Sequence, residues 1–220
     1  MDDAGSLRER LVEVGVHLVL TEGTAALGLR EIARRAGVSH GAPRRYFPTH
    51  HSLLSAIARR GFADLEARFA AAMAGLTSPR DRLQVFAREY VGYALECRGM
   101  FELMFRHELL DSDRHGADGP RLRESTLPLF EHLATLVAQC RENQRRENQR
   151  PKKQGRDQAD PPEDPSVTAA AFWANLHGIA QLWTWGSLQL VLGASGPPGT
   201  ERLDRLVAEV LDAHLGPVVP

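Results

Sequence analysis

Arg44 and Arg45 stand side by side in the stretch AGVSHGAPRRYF, residues 36–47, which also holds two glycines, a proline and an aromatic pair. A guanidinium presents a planar fork of donors that fits phosphate oxygens or the O6/N7 edge of guanine. Arg30 and Arg44 could reach either kind of acceptor, whereas Arg45 and the hydroxyl of Tyr46 suit phosphate. His40 has a ring that can donate to a base edge, and Gly41 and Ala42 let a backbone approach closely. Between residues 28 and 60 seven arginines stand against one acid, Glu31, a surplus of +6 with His40, His50 and His51 in addition. The whole chain carries a formal charge of only -1, so this basic surface is local and points to an anionic partner met at one place.

Other chemistry is poorly represented. His107-Glu108-Leu109-Leu110-Asp111 begins like the zinc-protease pattern H-E-x-x-H but has Asp where the second histidine must face the metal. There is no glycine-rich phosphate loop and no G-x-S-x-G elbow, and the nine histidines are dispersed. An all-α metal hydrolase is therefore the remote alternative; the expectation is no enzyme, no catalytic residue, no metal and no cofactor. Two cysteines, Cys97 and Cys140, are too few for a disulfide framework or a zinc knuckle and fit a reducing cytoplasm. The N-terminal segment MDDAGSLRERL is acidic and interrupted by charge, unlike a secretory signal.

The elements that must hold these residues read as helices. Leu7, Leu11, Val14 and Leu18 recur at spacings of three and four after Ser6, a candidate cap, and the run stops at Gly23. Leu29, Ile32, Ala33 and Ala36 repeat the pattern up to Gly37. Gly37-Val38-Ser39 then forms a tight reversal, with Ser39 predicted to cap a short third helix at about 40–46 despite Pro43. Thr49 caps a fourth helix carrying Leu53, Leu54, Ile57 and Phe62 toward Met73. Helical periodicity continues to the C-terminus, including a run from Val167 to Leu192 whose Asn, His, Gln and Trp residues argue for a buried helix rather than a membrane span. No alternating β pattern is present, so the chain is all-α.

The span Leu29 to Leu54, LREIARRAGVSHGAPRRYFPTHHSLL, resembles the DNA-binding signature of TetR-family transcriptional repressors. About a dozen positions agree in order, among them Ile32-Ala33, Ala36-Gly37-Val38-Ser39, Tyr46-Phe47-Pro48 and Leu53-Leu54. The resemblance implies a three-helix helix-turn-helix domain over residues 1–52, reading double-stranded DNA through Arg30, Ser39, His40, Gly41, Ala42, Arg44, Arg45, Tyr46 and His50. Residues 53–220 would form a helical effector-binding and dimerisation domain, linked by the helix that starts at about residue 50. Two departures stand out: the family has an aromatic residue at the place of Arg44 and a lysine at the place of His50.

A second, shorter resemblance lies in Phe172-Trp173-Ala174-Asn175-Leu176-His177-Gly178, similar to the W-x-x-L-H-G element of one branch of the family. It implies a homodimer in which the 167–192 helix and the last helix, 203–215, pair with their mates. The apolar character of 167–192 on nearly all faces requires such a cover in any case. The family also implies a pocket for a small apolar effector, for which Met100, Met104, Phe105, Trp173 and His177 are the candidate side chains. The mechanism expected is repression of a palindromic operator, relieved when effector tilts the fourth helix and changes the spacing of the two readers. RENQRRENQR, residues 141–150, is a tandem unit leading into a charged, proline-containing stretch, so disorder is expected at about 143–165, with the first repeat able to extend the preceding helix. A helical adaptor that has lost DNA binding is the competing reading.

Overall fold

The computed structural model describes residues 3–106, 109, 122–148, 164–193 and 200–217. Among them there is no strand. The helices run α1 (Asp3–Glu22), α2 (Leu29–Arg35), α3 (His50–Ala72), α4 (Pro79–Glu96), α5 (Arg98–Met104), α6 (Leu127–Asn148), α7 (Pro165–Thr184), α8 (Ser187–Val191) and α9 (Thr200–Leu215), with 3₁₀ turns at Thr24–Ala26, Ala42–Arg45 and Leu122–Thr126. By packing, the chain divides into Met1–Ala67 with Tyr93–Leu127, and Arg68–Gly92 with Pro128–Pro220. The expected division between residues 52 and 53 follows role along the chain, whereas these units follow contact in space, and the two boundaries do not coincide.

In the first unit α1, α2 and α3 converge on Gly15. A Cβ added there would lie 2.3 Å from Ile57 Cδ1 and 3.8 Å from Ile32 Cδ1, so the absent side chain lets α1 press against isoleucines of both other helices. Leu11, Leu18, Ile32, Leu53 and Ile57 are fully buried, the helical periodicity having marked them correctly. Helix α5 seals the same unit: Gly99 brings its backbone so near α1 that an added Cβ would stand 2.4 Å from the Val19 carbonyl oxygen. Met100 and Met104 are buried against Gly61, where both sulfurs would be within 2.8 Å of an added Cβ. The hydroxyl of Tyr93 donates to the Gly61 carbonyl at 3.3 Å, and Phe105 meets Phe62 edge to face at 5.6 Å.

The second unit is built on aromatic packing around a buried polar chain. Phe69 stacks on Phe86 at 4.3 Å. Tyr90 Oη lies 2.9 Å from His177 Nδ1, and the Trp173 side chain hydrogen-bonds the same phenol. Burial pushes the Tyr90 phenol far above its ordinary pKa and holds His177 below its usual 6.5, so both are neutral at pH 7. Tyr90 Oη and His177 Nδ1 therefore share one hydrogen between them, and the Gln181 amide nitrogen faces His177 Nε2 at 3.5 Å. Asp164 caps α7 by accepting from the Ser166 amide at 2.8 Å, with Pro165 in the first turn.

The run from Val167 to Leu192 is not one helix. It breaks at Trp185-Gly186, where Gly186 takes φ 81° and stops α7 at no steric cost before α8 begins. Val167, Trp185, Leu190 and Val191 are left between 65% and 82% exposed. Helix α6 runs through the first RENQR unit, the part expected to be able to extend it, and on to Asn148, so residues 146–148, expected to be disordered, are helical. Arg146 pairs with Glu142 at 2.9 Å, one turn away, and the Gln144 amide donates to the Leu215 carbonyl. The rest of the expected insertion, 149–163, lies outside the described residues, as does the His107-Glu108 pair. No helix among the described residues is long and apolar enough to cross a membrane.

Candidate nucleic-acid interface

The reversal after α2 is a complete Schellman stop. Gly37 takes φ 69°, the Gly37 amide donates to the Arg34 carbonyl at 3.2 Å, and the Val38 amide donates to the Ala33 carbonyl at 3.0 Å. The left-handed residue turns the chain within three positions and brings Ser39 and His40 out into solvent, where both are exposed.

The expected third helix, 40–46 with Ser39 as its cap, is instead one 3₁₀ turn, Ala42–Arg45, whose cap position is Gly41 and which no side chain caps. Proline explains the change. In an α-helix the ring of Pro43 would press on the Ser39 carbonyl four residues back, and its missing N–H would leave that carbonyl without a donor. The Ser39 carbonyl accepts from the Ala42 amide at 3.0 Å instead, three residues on. Pro43 is buried, and its carbonyl accepts from both Tyr46 (3.0 Å) and Phe47 (2.8 Å), so the proline that breaks the helix also anchors the turn. Arg44 and Arg45 project from that anchor into solvent, Tyr46 is half-buried, and Phe47 is buried. The guanidinium of Arg8 lies 5.2 Å over the Phe47 ring, holding the base of the turn to α1.

The seven arginines of this segment divide by partner. Glu31 holds Arg34 at 2.6 Å and Arg35 at 2.8 Å, and Glu22 takes Arg35 at 2.7 Å. Hydrogen bonds from Arg34, then Arg35, hold the Glu31 carboxyl down at about 2. These two cations are locally balanced. Among the described residues no ion pair engages Arg30, Arg44 or Arg45, so they are the cations an external anion would meet. The spacing of Glu31 to Arg34 and Arg35 was visible in the sequence as a helical pair; the Glu22 contact, from another helix, and the Arg8 contact to Phe47 were not.

His50 opens α3 beside a capping box made by Thr49 and Ser52: the Ser52 amide donates to Thr49 Oγ1 at 3.0 Å and the Thr49 amide to Ser52 Oγ at 3.3 Å. The imidazole Nε2 lies 2.6 Å from the Leu27 carbonyl. A carbonyl only accepts, so Nε2 is the protonated nitrogen, and the ring ties the start of α3 to the loop before α2. What His50 can still offer a phosphate is the backbone amide of the helix terminus. Of the five side chains singled out for an effector, Met100 and Met104 are core residues of the first unit, Phe105 is half-buried against Phe62, and Trp173 and His177 belong to the polar chain of the second. Among the described residues no group of three His, Cys, Asp or Glu side chains could hold a metal ion.

Comparison with known proteins identifies the family. Residues 11–57 match the family described as bacterial regulatory proteins, tetR family, and residues 83–210 match the tetracyclin repressor-like C-terminal domain. The HTH-type transcriptional regulator BetI of Rhizobium meliloti is 35% identical over 81 residues, which are 37% of this chain and 40% of that protein; the chain thus matches less than half the length of this curated relative. A solved protein of unknown function from Rhodococcus sp. RHA1 is 27% identical, with a TM-score of 0.68 over 96% of this chain and 94% of that one. The transcriptional regulator FadR of Bacillus subtilis, solved in complex with stearoyl-CoA, shares the fold at 12% identity, with a TM-score of 0.58 over 96% and 99%.

Proposed function

Because the chain belongs to the tetR family of bacterial regulatory proteins, and is thus a transcription regulator rather than an enzyme, we propose that it represses from a palindromic operator as a homodimer, in the cytoplasm, and is released by a small apolar effector. The observation that carries the DNA reading is the division of charge just described. Arg34 and Arg35 are satisfied within the protein, whereas Arg30, Arg44 and Arg45 stand exposed around a turn anchored by Pro43 and Phe47. Such an arrangement leaves fixed, unpartnered cations where a duplex could meet them without breaking any internal pair. Ser39, His40, Gly41 and Ala42 surround them, with no bulk beyond one imidazole.

Pairing of two copies is supported by the apolar surface of the second unit, where Val167, Leu182 and Trp185 on and just after α7 are left to water. Effector control takes its support from the fold: FadR, with the same architecture, was captured with stearoyl-CoA, so helices so arranged can take up a long acyl chain. Footprinting of the region beside the protein's own gene tests the reading. A protected palindrome, relieved by an acyl compound, is the expected result. A folded dimer that protects nothing at low salt would favour a helical adaptor.

A further inference from the structure

Helix α7 has a core side and a side that nothing among the described residues covers. Phe172, Leu176 and Trp183 are buried on the first. On the second, Val167, Ala171, Ala174, Gly178, Leu182 and Trp185, the last as the cap of the helix, follow one another at spacings of three and four. All six are exposed except Gly178, which is partly so and stands at the centre of the stripe. A Cβ added at Gly178 would meet nothing within 4 Å, whereas at Gly15, Gly61 and Gly99 it would run into a neighbour inside the chain. The φ of Gly178 is not positive either. Neither packing within the protomer nor backbone conformation calls for glycine here, although it weakens a helix relative to alanine.

We propose that Gly178 is the point at which α7 crosses α7 of a second copy, antiparallel and at a shallow angle. The proposal rests on the homodimer put forward above and assigns its register. A twofold axis at Gly178 sets each residue against the one equally far along on the other side, so Ala171 faces Trp185 and Ala174 faces Leu182. Small stands against large in both pairs, and the missing side chain at the crossing lets the two backbones approach. Parallel pairing would instead set Trp185 on Trp185 and Ala171 on Ala171, crowded at one end and hollow at the other. Together Val167, Leu182, Trp185 and, on the adjoining α8, Leu190 and Val191 leave on the order of 600 Å² to water, at the upper end of what a monomer shows; with the alanines between them this approaches the ~800 Å² that each partner gives a stable interface. No charged residue lies on α7, so two copies meet there without like charges opposed. At the border of the stripe the Asn175 amide is already satisfied, donating to the Ala171 carbonyl at 3.2 Å and lying 2.7 Å from His214 Nε2.

The test combines sedimentation velocity of the full chain over a dilution series with disulfide trapping. The double variant Ala174→Cys/Leu182→Cys should oxidise to a bridged dimer. Each single variant alone should stay reduced, because its two thiols lie about 12 Å apart along the crossing at about 1.5 Å per residue. The wild-type chain, with Cys97 and Cys140 in place, is the blank. Gly178→Ala should keep its helicity and raise the dimer Kd by about tenfold or more, through overpacking at the crossing. Gly92→Ala, on α4 and equally open within the protomer, should leave the Kd unchanged. Self-bridging of either single variant, a double variant that does not bridge, or an unchanged Kd in Gly178→Ala would overturn the crossing while the dimer stands. A wild-type chain that is monomeric at every concentration would overturn both.

Discussion

Replacing Arg44 and Arg45 by alanine tests the DNA surface most directly, because the structure separates what they contact from what holds them. Both side chains are exposed and engage no carboxylate among the described residues, while the turn they project from is fixed by Pro43, Phe47 and the Gly37 stop. Removing them should leave helicity and unfolding temperature unchanged. Each phosphate contact contributes about -0.9 to the slope of log affinity against log salt. Two contacts in each half-site of a dimer therefore amount to a slope change of about 3.6. Between 200 and 50 mM salt a difference of that size corresponds to about 150-fold in affinity gained on dilution. Fluorescence anisotropy with a labelled duplex from the protein's own upstream region, read at four salt concentrations, measures it. If Arg44 instead grips a guanine, Arg44→Ala alone should cost about 1–3 kcal/mol against the preferred sequence and flatten discrimination there. An unchanged slope and unchanged affinity, in a protein still folded, would refute the assignment of this face.

Three further outcomes follow from other contacts. Glu31→Gln should release Arg34 and Arg35 from their shared carboxylate, and a steeper salt dependence with stronger binding to unrelated duplex is expected in the same anisotropy assay. Gly99→Ala should destabilise by about 1–3 kcal/mol, since its Cβ meets a backbone oxygen that cannot swing aside; Gly92→Ala, with nothing within 4 Å, should be neutral or stabilising, and urea unfolding of the pair checks the contrast. His177, held below 6.5 by burial, contributes stability that is complete above that value and is lost as the pH falls from there through its lower folded pKa, because the unfolded chain takes up the proton first. His177→Asn should remove that part of the acid-side slope in melting temperature between pH 7 and 5.

The sequence made some helix ends legible where a stop or a cap was local, and not others: Ser6, expected to cap the first helix, lies inside α1, which starts at Asp3, and Ser39 caps nothing. Gly23, Gly37 and the Thr49 cap lie at ends that the structure places within a residue of the expectation, because each acts on its own neighbours. Where the outcome depended on partners distant in sequence, spacing alone did not suffice. Trp185-Gly186 reads as two more members of an apolar run, yet Gly186 adopts a left-handed conformation and ends the helix. Gln144 and Arg146 lack any apolar face that would demand a helix, and the bonds that accompany their helical state include one to Leu215, 71 residues away. At the DNA surface the arginines were visible by type, but which of them are neutralised rests partly on Glu22 across a turn, and the binding of the His50 ring to the Leu27 carbonyl could not be read from either residue.

The short reading turn has a consequence for how a site could be specified. Four residues of 3₁₀ helix extend about 8 Å at 2.0 Å per residue, against about 3.4 Å per base pair. In the proposed complex a turn of that length would span only two or three base pairs. Two or three base pairs recur too often in a genome for one copy to find a place on them. Most of its affinity must then come from phosphate contacts, which carry no sequence information. Specificity has to be gained by a second reader at a fixed distance, about 34 Å away for half-sites one turn apart. In the proposed dimer the exposed apolar residues on and just after α7 would contribute to DNA recognition as much as the arginines: a variant such as Trp185→Lys that keeps copies apart should retain salt-dependent binding to any duplex and lose preference for an operator.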